Sequence, residues 1–168
     1  SALSVWAGLA LAEAAEGDTA AALARARRAV EVARPLPLPG VLMMTLVRAA
    51  ETGAVSGVPA RPELAEALRL LRRHGGRQWV AAALTVAALL HEAEGRLRVA
   101  VRLLGGAVAV AQELGEDPEP TPPIAALVHA ARQRLVNALG AVFADEETAG
   151  RQTSVSALLQ AALDGLDV

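Results

Sequence analysis

Residues 95–115 read GRLRVAVRLLGGAVAVAQELG, and this stretch decides the fold class. Leu97, Ala100, Val101, Leu104, Val108, Ala111 and Leu114 recur at helical spacing, so one face is continuously apolar and requires a partner. Gly105 and Gly106 interrupt it near the middle, where each glycine costs roughly 1 kcal/mol of helix propensity. A second helix crossing close at that point would recover the cost; without one the pair is a local weakness or kink. Another apolar segment, residues 78–93, precedes it across the turn Glu94-Gly95-Arg96, so the unit is a helical hairpin. Function in such a chain is to be sought on the surfaces that stacked hairpins make.

Outward from this hairpin, apolar helical periodicity alternates with short breaks along the whole chain. Helices are expected over residues 4–15, 20–33, 41–52, 62–73, 78–93, 95–115 and 124–139, with a terminal helix capped by Ser154 and running to Leu163. The expected inward stripes include Trp6, Leu9 and Ala10, then Leu23, Ala26 and Val30, and Leu64, Leu68 and Leu71. Trp79, Ala82, Val86, Leu89 and Leu90 form the stripe of the most apolar helix, and Leu127, Ala131, Leu135 and Ala138 that of the helix after the linker. Gly140 stops that helix, Phe143 anchors the loop that follows, and Gly150 opens the last turn.

The breaks are Gly17-Asp18, the proline run of residues 35–39, Gly53 to Pro59 and Gly75-Gly76. The clearest linker is EDPEPTPP at 116–123, acidic and too rich in proline for a helix interior. Setting Gly17 over Gly95 also sets Ala12 over Leu90 and Ala21 over Val99, an offset of 78 residues, about twice a helical-hairpin repeat length. The organisation is therefore read as helical-hairpin repeats over residues 1–116, a Pro-rich linker at 117–123 and a C-terminal helical hairpin over 124–168, packed together as one domain.

Composition narrows the chemistry. The apolar fraction of 54% is mostly Ala, Leu and Val, with Trp6, Trp79 and Phe143 as the aromatic residues, which suits close helix packing and leaves few platforms for bases or sugars. A net charge of -2 supplies no general attraction to nucleic acid. The absence of Cys excludes disulfides, a thiol nucleophile and thiolate metal sites, and a cytoplasmic location is the expected one. Ser1-Ala2-Leu3-Ser4 does not resemble a signal peptide, and the run from Trp79 to Leu90 is too short for a membrane span. The chain starts inside a helical pattern without Met and is expected to be a piece of something longer.

No enzyme can be assembled from these residues. His74, His91 and His129 lack metal-ligand spacing, and His91-Glu92 has no second histidine. Leu104-Gly105-Gly106-Ala107 lacks the Lys and Ser or Thr of a phosphate loop. The strongest polar feature is Arg69, Arg72, Arg73 and Arg77, a cluster able to dock an acidic partner, a phosphate-bearing effector or a nucleic-acid backbone, or simply to end a helix in solvent. Arg25, Arg27, Arg28 and Arg34 form a second run. Met43 and Met44, with Trp79 and Val86, are candidates for an adaptable effector pocket or for ordinary core.

Several of these segments resemble a known group. Arg102-Leu103-Leu104-Gly105-Gly106-Ala107, the Pro-rich spacer, and then Leu139-Gly140, Phe143, Gly150, Ser154 and Ala162-Leu163 are similar to the C-terminal helical-repeat region of large actinobacterial ATP-binding transcriptional regulators, the MalT-like, LuxR-type and antibiotic-regulatory families. The resemblance covers about residues 78–163, and its motifs are packing motifs without catalytic content. The Pro35 to Pro39 run and the Met43-Met44 helix depart from it, and Ala157 stands where a capping box would have Glu. It implies an all-α fold of stacked antiparallel helical hairpins, a tetratricopeptide-like right-handed repeat array, from which the ATPase and DNA-binding parts are absent.

The leading expectation is a non-catalytic regulatory interaction scaffold without a cofactor. Its partner would be another domain of the same regulator or a protein segment. The competing expectations are a small-molecule-sensing domain with an apolar pocket near Met43, Met44, Trp79 and Val86, and direct nucleic-acid binding by the arginine runs. Self-association into a dimer through an uncovered terminal face competes with all of these.

Overall fold

The computed structural model describes residues 2–166, and among these it contains nine α-helices and no strand. They are α1 (Ala2–Ala15), α2 (Thr19–Ala33), α3 (Pro39–Ser56), α4 (Arg61–His74), α5 (Arg77–Ala93), α6 (Leu97–Glu113), α7 (Pro122–Leu139), α8 (Val142–Gln152) and α9 (Val155–Leu163). Proline opens α3, α4 and α7 in the first turn, where its missing N–H has no intrahelical acceptor. For that reason α7 begins at Pro122, inside the stretch read as linker. Ser154 caps α9 as expected, its Oγ accepting from the Ala157 N–H at 3.2 Å.

The first six helices form three consecutive pairs, α1 on α2, α3 on α4 and α5 on α6. Successive pairs are joined by contacts of α1 and α2 with α3, and of α3 and α4 with α5. Beyond α6 the succession changes: α7, α8 and α9 each return to pack on α6. In addition α7 lies against α3 and α5, and α9 against α4 and α5. One apolar core runs through all of this, from Ala10 to Leu166.

Several helices depart from the expected stripe. The end of the α6 stripe, Leu114, is 39% exposed, and α7 exposes Ala138 and half-buries Leu127 while burying Ile124, Ala125 and Val128. The helices α1 and α5 differ further. In α1 the buried residues are Ala7, Ala10, Leu11 and Ala14, leaving Leu9 49% exposed and Trp6 half-buried. Neighbouring helices surround α5, which buries Val80, Ala83, Leu84, Ala87, Ala88 and His91 as well as Val86 and Leu90. Ala82 and Leu89 are only half-buried there.

The stretch read as a loop after Phe143 is a helix, α8. Its sequence VFADEETAGRQ lacks an apolar stripe because its seat on α6 is built differently. Glu146, buried, pairs with Arg102 and with Arg98 of α6, while Glu147 pairs with Arg132 of α7. Phe143 is buried in the first turn of α8 beneath the Arg132 guanidinium, 5.1 Å from the ring centroid. Gly150 lies within α8, and Gly105 and Gly150 are the points of closest backbone approach. An added Cβ on Gly105 would stand 2.3 Å from the Glu147 carbonyl oxygen, and one on Gly106 2.5 Å from a methyl of Leu158 in α9. The glycine pair of α6 thus marks the crossing of two helices, which offsets its propensity cost.

Candidate functional site

Two elements far apart in sequence build a strongly polar cleft. α4 is strongly amphipathic: Leu64, Leu68 and Leu71 are buried, and Arg69, Arg72 and Arg73 stand exposed near its C-terminal end, where the helix dipole favours positive charge. α9 buries Leu158, Leu159 and Ala162, and turns Ser156, Gln160 and Asp164 away from the core at four-residue spacing. Between the two helices lies a cavity of about 660 Å³, lined by the three arginines of α4 and by Ser156, Gln160, Leu163, Asp164 and Gly165. Arg61, at the start of α4, donates to the Gly165 carbonyl at 3.4 Å, which fixes the opposite end of α4 beside the end of α9.

The charge balance around this cleft is specific. Among the described residues, thirteen of the sixteen arginines stand within ion-pair distance of a carboxylate. Arg69 also has an interaction, so Arg72 and Arg73 are the arginines without an ion-pair partner among the described residues. Arg77 does not join them: it begins α5 and pairs with Glu113 of α6 at 2.7 Å. The second arginine run is neutralised, with Arg25 on Glu13, Arg27 on Glu63, Arg28 on Glu31 and Arg34 on Glu66. Hydrogen bonding to the Glu66 carboxylate, with its charge, raises the Arg34 pKa.

A second, apolar groove of about 260 Å³ opens between α3, α5, α7 and the α3–α4 connection. Ala50, Gly53, Ala54, Leu64, Val86, Leu89 and Leu127 line it. Arg134 of α7 and Glu92 of α5 pair through two contacts of 2.7 and 3.1 Å beside it. The four residues expected to share an effector pocket are dispersed. Val86 lines this groove, whereas Trp79 lines a separate one with Arg48 stacked over its ring at 5.6 Å. Met43 is buried with its sulfur against Gly76, and Met44 accepts a hydrogen bond from Ser4 at its sulfur. Gly140 ends α7 in the positive-φ region that a C-terminal turn requires.

The α9 wall of the arginine cleft escaped the sequence reading, although Ser156 and Gln160 are polar interruptions four apart in an otherwise apolar helix. Arg134 was likewise hidden, because its partner Glu92 on α5 is set by the return of α7, while Leu127, expected to face inward, lines the apolar groove. Among the described residues no group of His, Asp and Glu is placed to hold a metal, and no described helix is long and apolar enough to cross a membrane. No protein-family model, curated protein or solved structure matches the chain.

Proposed function

We propose that this chain is a non-catalytic regulatory interaction scaffold, a tetratricopeptide-like stack of helical hairpins from a multidomain transcriptional regulator, and that it docks a protein segment or neighbouring domain in the cleft between α4 and α9. The observation that carries this reading is Arg72 and Arg73, exposed and without an ion-pair partner among the described residues, on a cleft whose other wall is a separate helix. Elsewhere the guanidinium groups are matched to carboxylates, so this is the face where an external partner completes the charge balance. The pairwise succession of α1 to α6 supports the hairpin reading, as do the motifs of residues 102–163. Direct nucleic-acid binding is disfavoured by the neutralised second arginine run.

Light scattering of the chain, alone and mixed with the flanking domains of its gene, tests this. The expected result is a mixed complex that disappears in Arg72→Glu/Arg73→Glu. An unchanged chain mass in every mixture, or a complex indifferent to the charge reversal, counts against docking at this cleft; a mass of twice the chain alone is self-association.

A second reading, sensing of a small apolar molecule, is favoured by the groove between α3, α5 and α7. Leu89→Trp would fill that groove. Heat-shift screening against small apolar compounds, with hits lost in this variant, is its test.

A further inference from the structure

We infer that the segment docked between α4 and α9 is acidic and extended, its carboxylates spread along the front formed by Arg72 and Arg73. This inference rests on the docking reading and adds the chemistry of the partner. Arg72 and Arg73 are consecutive in the last turn of α4, so their side chains diverge by about 100° around the helix axis. Guanidinium groups arranged in this way present a broad front. A single phosphoryl group is held best by groups that converge on it, and carboxylates at intervals along a chain match a front better.

The opposite wall agrees with an extended backbone. Ser156 and Gln160 offer a hydroxyl and a side-chain amide at four-residue spacing, groups that pair with peptide N–H and C=O as readily as with side chains. Gln160 already donates to Asp164 at 2.7 Å, which holds the amide toward the Gly165 end and leaves its carbonyl oxygen as an acceptor. Asp164 makes that end of the cleft the less positive one, so the acidic residues of the partner gather toward Arg72, Arg73 and Ser156. The first turn of α9 contains no acidic side chain, and its N-terminal dipole adds to the positive field there. A nucleic-acid strand fits less well: no aromatic residue lines the cleft, and Arg77, which would lengthen the basic track, is taken by Glu113.

The test is fluorescence anisotropy of the whole chain with a labelled peptide of alternating glutamate and glycine. The matched glutamine and arginine peptides, a short single-stranded DNA and inorganic phosphate are compared at equal ionic strength. The glutamate peptide is expected to bind roughly tenfold more tightly than the glutamine peptide, and Arg72→Gln/Arg73→Gln to remove that advantage. Arg28→Gln, on a paired and distant arginine, is expected to leave it unchanged; circular dichroism verifies that each variant keeps its helices. Equal binding of the glutamate and glutamine peptides overturns the inference, as does tighter binding of DNA or of phosphate. If the glutamine or arginine peptide binds and is displaced by the flanking domains, docking survives and acidity fails. If no peptide and no flanking domain binds, both fail.

Discussion

Gly150 of α8 lies so close to Arg102 of α6 that a Cβ on the glycine would stand 2.0 Å from the arginine carbonyl oxygen. Reciprocally, Gly105 of α6 faces the Glu147 carbonyl, so each helix lowers a glycine onto the backbone of the other. The contact has no flexible side chain to yield, and a methyl group can be accommodated only by separating the helices. Gly150→Ala is therefore expected to destabilise the fold by about 3 kcal/mol, at the upper end of ordinary overpacking. Gly8, inside α1 with open space around it, is the control: Gly8→Ala is expected to stabilise by about 0.5–1 kcal/mol through helix propensity alone. Urea midpoints of the two variants check the contrast, and equal small effects would show that α6 and α8 are not in backbone contact.

This crossing also shows what could be read in the sequence and what could not. The stripes of α2 and α4 were legible because each of these helices buries a single face, and Leu23, Val30, Leu64 and Leu68 repeat at helical spacing. α8 was not, since Glu146, Glu147 and Gly150 seat it by ion pairs and backbone proximity, forces without a hydrophobic period. α5 misled in the opposite way: buried on several sides, it has no single stripe to find. The arginine triplet of α4 was visible as charge, yet its meaning as a cleft came from α9, a contact between residues some ninety positions apart that no local pattern records.

His91 is completely buried on α5, its Nε2 donating to the Ala162 carbonyl of α9 at 2.9 Å and its Nδ1 accepting from Arg96 Nε at 2.6 Å. Burial lowers its pKa below 6.5, against the opposing pull of the Ala162 carbonyl, and the Arg96 and Arg61 charges lower it further. The unfolded chain therefore takes up a proton that the folded chain resists. The stability contributed by neutral His91 is complete above about pH 6.5 and is lost as pH falls from there toward the depressed folded value, at most about 1.4 kcal/mol per pH unit. His91→Gln can keep the bond to Ala162 without titrating, so its urea midpoint is expected to fall less between pH 7 and pH 5 than that of the parent. Parallel curves would exclude His91 as the source.

Glu51 is 3% exposed on α3, within 2.8 Å of Arg48, and burial raises its pKa despite that partner. Here the sign is reversed. The folded chain holds the proton more tightly than the unfolded one, so stability is greatest below the ordinary value of 4.5 and declines as pH rises through the elevated folded value. Glu51→Gln removes the buried charge and leaves Arg48 stacked on Trp79 and partly solvated. The variant is expected to gain roughly 1 kcal/mol at pH 8 and nothing at pH 4. Loss of stability at pH 8 with none at pH 4 would mean that the ion pair outweighs its desolvation.

Open space borders α7 on several sides. Its buried edge is Ile124, Ala125, Val128, Ala131 and Leu135, but three cavities of about 260, 380 and 190 Å³ border it. Leu127 and Ala130 face the first, Val128 and His129 the second, and Ile124 the third. A helix with unfilled space on several sides forfeits dispersion contacts there and can detach without dismantling α5 and α6. Hydrogen exchange over minutes to hours is thus expected to release the α7 amides well before those of α5, which borders the same cavities but is held by α3, α4, α6 and α9 as well as by α7. Ala130→Leu extends a side chain into the groove beside Leu89, and burying the added methylenes is expected to slow α7 exchange and to raise stability by about 1 kcal/mol. If α7 and α5 exchange together in the parent chain, the cavities do not weaken its seat. If they separate and Ala130→Leu closes the gap, incomplete filling around α7 is the physical cause.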